Sequence, residues 1–168
     1  MTARKARVAY VAPVMGECED AVIESLETDY LVVGAQGWMR QAAEDGLVIS
    51  RPTPESRVPL ESDIVVFSEL DCRGPEAVGR HLAKHVSVVA ITRAAKGVTL
   101  FSEGEEIDLP REPAYSEVDP TGAGDVFGVV LGLNVYAGME LGDAARSAMR
   151  AAARVVEGPE MGNLTHAV

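Results

Sequence analysis

Asp119-Pro120-Thr121-Gly122-Ala123-Gly124-Asp125-Val126-Phe127 carries more information than any other stretch of this chain. Two glycines flank Ala123, a carboxylate follows at once, and an apolar run of helical character continues from Val126 to Val135. That order describes a loop opening onto a helix N-terminus. Glycines let the chain turn tightly and bring backbone N–H groups close to a ligand. The first-turn N–H groups of a helix have no acceptor inside it, so they face whatever anion sits there. Asp125 stands where it could take a proton from a nucleophile attacking a bound phosphate. An anion site beside a base reads as phosphoryl transfer. A plain turn with an Asp helix cap would account for the carboxylate, but not for two glycines around Ala123 behind Pro120-Thr121.

Upstream, Ile64-Val65-Val66-Phe67 and Val86 to Thr92 are β-branched and nearly uninterrupted, as parallel strands buried on both faces should be. Val8 to Val11 and Tyr30 to Val33 are shorter runs of the same kind, and Leu47 to Arg51 is a small strand. Val98 to Phe101, Gly104 and Ile107 predict a hairpin with Gly104 in its turn. Helical stretches are predicted at Glu19 to Leu26, at Gly37 to Ala43 around Trp38, and at Pro75 to His85. Beyond Pro110 and Pro113 come two closing helices, about Ala123 to Ala137 and Leu141 to Val156. In the second, Leu141, Ala144, Ala145, Ala148, Met149 and Ala152 recur at helical spacing. Apolar strands alternating with helices predict an open α/β sheet in a single domain spanning residues 1–168.

The 168 residues suffice for a core without metals or disulfides. Fifteen basic against twenty-six acidic residues give a net charge of -11. That balance argues against nucleic acid or an anionic membrane as partner. It also requires any phosphate site to be built locally, from backbone dipoles, a few cations or Mg²⁺. Cys18 and Cys72 match no metal spacing and suit a reducing compartment. No apolar run approaches the roughly 18 residues of a membrane span, and the basic start, Met1 to Arg7, leads into no signal-peptide core. The expected location is the cytoplasm. His81, His85 and His166 form no ligand or triad pattern, and no P-loop ending is present.

Asp119 to Phe127 resembles the C-terminal motif of the ribokinase-like (PfkB) carbohydrate kinases, a signature far more specific than a lone glycine-rich loop. Val89-Ala90-Ile91-Thr92 with Lys96-Gly97-Val98-Thr99-Leu100 resembles the strand, turn and hairpin that line the nucleotide side in that family. Gly34-Ala35-Gln36-Gly37-Trp38-Met39-Arg40, beside Asp45-Gly46, is similar to members that act on inositol-type polyols. The resemblance covers only the later part of the family's fold. It implies a three-layer α/β/α, mostly parallel sheet, N-terminally truncated and without the family's lid sheet.

The same resemblance implies an ATP- and Mg²⁺-dependent kinase acting on a sugar or polyol hydroxyl. The residue matching the family's base is Asp125, and the backbone N–H groups of Gly122, Ala123 and Gly124 match its anion hole. Thr92, Arg93, Lys96 and Gly97 match the nucleotide-edge turn, and Gly158 with Pro159 falls near the adenine pocket. Ser68 and Asp71 occupy the family's asparagine-x-x-glutamate element, linked to phosphate and Mg²⁺, and both depart from its usual residues. Asp119 reads equally as an organiser of the metal's water shell and as a turn residue before Pro120. Glu69 is a substitute for Asp71, and Arg40 a weaker candidate for contact with acceptor or phosphate. Because the family's acceptor-reading region has no counterpart ahead of Val8, a homodimer or a complementary N-terminal partner is expected. The rival class is a non-catalytic nucleotide-binding or oligomerising module.

Overall fold

The computed structural model describes residues 4–111 and 121–156. A six-stranded sheet forms the middle layer, in the order β1 (Arg4–Val11), β2 (Leu26–Gly34), β5 (Ile64–Ser68), β6 (Val88–Thr92), β7 (Val98–Ser102) and β8 (Glu105–Leu109). The first four of these run parallel, and β7 and β8 turn back as an antiparallel hairpin. A second, two-stranded sheet joins β3 (Arg40–Ala42) to β4 (Val48–Ser50).

Strand alternation assigns the layers. Val65 and Phe67 of β5, with Val89 and Ile91 of β6, face helix α3 (Pro75–Leu82), where Val78 and Leu82 meet them. The short helices α1 (Asp20–Glu24) and α2 (Gln36–Met39) belong to the same side, through Ile23, Trp38 and Met39. Ile64, Val66, Val88 and Ala90 point the other way, onto α4 (Ala123–Tyr136) and α5 (Leu141–Val156). Val65, Val89, Ile64 and Ala90 are all fully buried, which explains why these strands lack polar alternation. Ala144, Ala145 and Ala148 give α5 a small-residue face against this layer.

The three-layer, mostly parallel architecture and the β7–β8 hairpin match the expectation, and α5 begins where its periodicity predicts. Two segments differ. The helix predicted over Glu19 to Leu26 covers only Asp20–Glu24, because Leu26 already opens β2. The helical stretch at Gly37 to Ala43 breaks at Arg40, whose chain continues as β3 against β4. The Asp45-Gly46 turn forces this hairpin: Asp45 accepts from the Leu47 N–H at 3.0 Å, and Gly46 adopts φ +82°. Among the described residues no helix is long and apolar enough to cross a membrane.

Candidate active site

The C-terminal ends of β1, β2, β5 and β6 share one rim of the sheet. Helix α4 returns to that rim by its N-terminus. Gly128 lies against Tyr10 near the end of β1, Gly132 against Val32 in β2, and Tyr136 against Tyr30, two residues earlier in the same strand, with ring centroids 5.9 Å apart. The helix therefore runs opposite to the parallel strands and presents residues 122–125 at their C-terminal edge.

Gly122 caps α4 in the left-handed region, φ +82°, with no side-chain cap hydrogen bond. The first backbone bond of the helix runs from Val126 N–H to Gly122 O at 3.0 Å. The N–H groups of Ala123, Gly124 and Asp125 lie ahead of it and have no acceptor within the helix. Among the described residues, a Cβ built on Gly124 would meet nothing within 4 Å. Asp125 is exposed, and its Oδ1 accepts a hydrogen bond of 3.1 Å from the Tyr10 hydroxyl. This donor-rich helix start beside a carboxylate suits a phosphoryl group and a proton acceptor.

Ser68 and Thr92 sit side by side on the same rim, paired in register at the ends of β5 and β6. The Thr92 hydroxyl donates to Phe67 O at 3.4 Å, and the Ser68 hydroxyl accepts from the Leu70 N–H at 3.2 Å. Asp71 is 2% exposed, with both carboxylate oxygens engaged. Arg40 Nη2 donates to Oδ1 at 2.5 Å, and Ser68 N–H donates to Oδ2 at 2.8 Å. Asp71 in turn donates its own N–H to Ser68 O at 2.9 Å. This geometry fixes the turn after β5 and ties it to the start of β3; it leaves neither oxygen directed at a metal. Arg40, read from sequence as a candidate for acceptor or phosphate, is committed to the same pair. Asp71→Asn should lower stability by roughly 2 kcal/mol, below the 3–5 of a fully buried pair because Arg40 is partly exposed, and a shift in the urea midpoint measures it.

Arg93 is held at every edge of its guanidinium. Nε donates to Thr99 Oγ1 at 2.8 Å, Nη1 to Glu69 at 3.1 Å and Nη2 to Glu76 at 2.9 Å. Lys96 joins Glu69 at 3.0 Å. Both cations line a cleft of about 460 Å³ beside the β7–β8 hairpin, together with Glu76, Glu106 and Asp108. Thr99 and Glu76 place the Arg93 side chain on the α3 side of the sheet, so it is not gathered with Asp125. Gly97 turns the chain into β7 at φ +104°, and a Cβ there would strike Leu109 O and the Pro110-Arg111 backbone. Packing alone demands that glycine.

The Lys96 ammonium, and Arg93 after it, hold the Glu69 carboxyl below its usual range against a smaller opposing push from burial. A carboxylate with a depressed folded value stabilises fully above its unfolded value, near 4.5, and loses that contribution as pH falls through the lower folded value. Urea midpoints measured from about pH 6 to about pH 3 should therefore fall less steeply for Glu69→Gln than for the unsubstituted chain.

Asp119 and Gly158 lie outside the described residues. Among the described residues no group of three or more His, Cys, Asp or Glu side chains could hold a metal. Tyr10 is the site residue that sequence reasoning missed, since nothing in an apolar strand marks one tyrosine as the neighbour of a carboxylate 115 positions away. The partial signal was Gly128, a glycine inside a helical pattern, which often records a close approach.

The profile of the pfkB family carbohydrate kinases matches residues 64–167. The chain belongs to this family. Among curated proteins no relative matches. A pyrophosphate-dependent kinase of the ribokinase family, solved with a pyrophosphate analogue and myo-inositol, is 19% identical with a TM-score of 0.74; the match covers 92% of this chain and 60% of that one. Ribokinase from Thermotoga maritima is 17% identical with a TM-score of 0.66, covering 95% of this chain and 52% of that one. A Burkholderia thailandensis nucleoside kinase in complex with inosine is 23% identical, TM-score 0.55, covering 68% and 39%. The fold is thus ribokinase-like, and the chain spans between about a third and three fifths of the length of the solved structures it matches.

Proposed function

We propose that this chain is the donor-binding and catalytic part of a kinase that moves the terminal phosphoryl group of ATP to a hydroxyl of a sugar or polyol. The observation that carries the proposal is the start of α4. A glycine cap in the left-handed region, first-turn N–H groups with no acceptor inside the helix, open space over Gly124 among the described residues and an exposed carboxylate follow one another there within four residues.

The attacking acceptor oxygen forms a bond to the terminal phosphorus while its proton passes to the Asp125 carboxylate. The bond to the bridging oxygen breaks, and its electron pair leaves with the shortened donor. The N–H groups of Gly122, Ala123 and Gly124 face the negative charge on the transferring group, each worth roughly 2.7–4 kcal/mol by analogy with other oxyanion holes. Thr92 and Ser68, adjacent on the rim, are assigned to the donor side, with Gly158 as the expected neighbour of the base ring. Mg²⁺, when bound, neutralises charge on the donor's phosphates. As placed, Asp71 does not fit as its direct ligand, so the metal is assigned to the donor's own oxygens and water, with Asp119 as the remaining candidate.

The acceptor-reading part is assigned to residues that extend the sheet at β1, whose outer edge pairs with no described strand. An exposed strand edge is a template for another segment or a second copy of the chain. Hydrogen exchange tests this directly: slow exchange of the outward β1 amides in an assembled form, and fast exchange in an isolated monomer, is the expected pair of results.

The activity test is a matrix of donors, ATP–Mg²⁺ and pyrophosphate–Mg²⁺, against sugars, myo-inositol and nucleosides. Pyrophosphate is included because a structural neighbour is described as using it, and nucleosides because another was solved with inosine. Transfer from ATP to a sugar or polyol is the expected result. Tight donor binding by calorimetry with no transfer to any acceptor would favour the non-catalytic module instead.

A further inference from the structure

We propose that Tyr10 is a positioning residue for the Asp125 carboxylate, an inference that rests on Asp125 acting as the base. An exposed aspartate in the first turn of a helix rotates freely about its terminal torsion, yet proton abstraction requires one oxygen to point at the acceptor. The Tyr10 hydroxyl, reaching Oδ1 at 3.1 Å, removes that freedom. Because the carboxylate is planar, anchoring Oδ1 also fixes the direction of Oδ2.

The tyrosine itself is held by two elements that give up side chains to seat it. A Cβ on Gly34 would lie 2.6 Å from the Tyr10 hydroxyl oxygen, and one on Gly128 would lie 2.6 Å from its Cε2. Neither glycine has a positive φ, so backbone conformation does not require glycine at either position. Space for the ring does. Glycine within a strand or a helix is unfavourable relative to alanine, and the fold accepts that at both sides of one ring. Burial first, and then the neighbouring Asp125 charge and the hydrogen bond to it, keep the phenol well above its ordinary ionisation range. It therefore stays protonated and remains a donor while Asp125 is charged.

Tyr10→Phe keeps the ring in its slot and removes only the hydroxyl. The expected result is a kcat reduced roughly ten- to hundredfold, the span of hydrogen bonds to charged groups, with KM for donor and acceptor unchanged. A second measurement needs no turnover. With tyrosines labelled at Cζ, and the Tyr10 resonance identified by its loss in Tyr10→Phe, the Tyr10 Cζ shift at neutral pH should move in Asp125→Ala relative to the unsubstituted chain, because its hydrogen-bond acceptor is gone. An unchanged Tyr10 Cζ shift means the contact does not exist in solution and overturns the proposal. Equal kcat in Tyr10→Phe and the unsubstituted enzyme overturns the positioning role alone. No transfer by the unsubstituted chain, with the NMR contact present, instead overturns the kinase reading and the role that depends on it.

Discussion

Gly124→Ala leaves the fold intact, or stabilises it by up to about 1 kcal/mol, and removes phosphoryl transfer. The two effects separate because this glycine has no structural task within the described protein. Its φ is not positive, and an added methyl group would touch nothing within 4 Å. Alanine is the better helix former, so urea denaturation should show an equal or higher midpoint. In the proposed site, however, that open space is where the transferring group sits, one residue ahead of the base. A methyl there excludes it, and turnover should fall at least a hundredfold.

Gly128→Ala is the control with the opposite pattern. Its Cβ would press on the Tyr10 ring at 2.6 Å, and such overpacking costs roughly 1–3 kcal/mol. Stability falls in that variant before chemistry is reached. A Gly124→Ala protein with full activity would mean that the start of α4 binds no phosphoryl group.

Asp125→Asn should lower transfer by 10²- to 10⁴-fold, the usual range for a lost general base, without weakening donor binding. Asparagine retains an oxygen for the Tyr10 hydroxyl, so the first turn of α4 keeps its shape while the proton acceptor is gone. Removing a negative charge beside an anion site should leave donor affinity equal or higher by calorimetry. Turnover within a few-fold of the unsubstituted chain would assign the base to another group.

The sheet and its flanking helices were readable because their signals are local. Ile64 to Phe67 and Val86 to Thr92 are apolar on both faces, and only a strand covered by helices on each side accommodates that. The alanine spacing in α5 repeats often enough to mark the helix and its start. The start of α4 was readable for a similar reason, since a glycine cap, a second glycine and an acid are contiguous. The hairpin of β3 and β4 was not, because three-residue strands show no period that separates them from the end of a helical turn.

Side-chain partnerships were beyond reach in the same way. Asp71 reads as a free carboxylate until its burial and Arg40, 31 positions away, are known. Arg93 and Lys96 read as cations of the nucleotide-edge turn until Glu69 and Glu76 are found beside them. In each case charge is visible along the chain, while the neighbour that neutralises it is a property of the fold.

The slot that holds Tyr10 also joins mechanics to chemistry. Its ring hangs from β1, the outermost strand of the sheet, and edge strands are where sheets fray first. Were that strand to peel away, the aromatic tether would slacken and the acid at the head of the helix would lose its anchor. Whatever clamps the flank of the sheet, whether a preceding stretch of polypeptide or a second molecule, would thereby raise the fraction of time the proposed base is held in place.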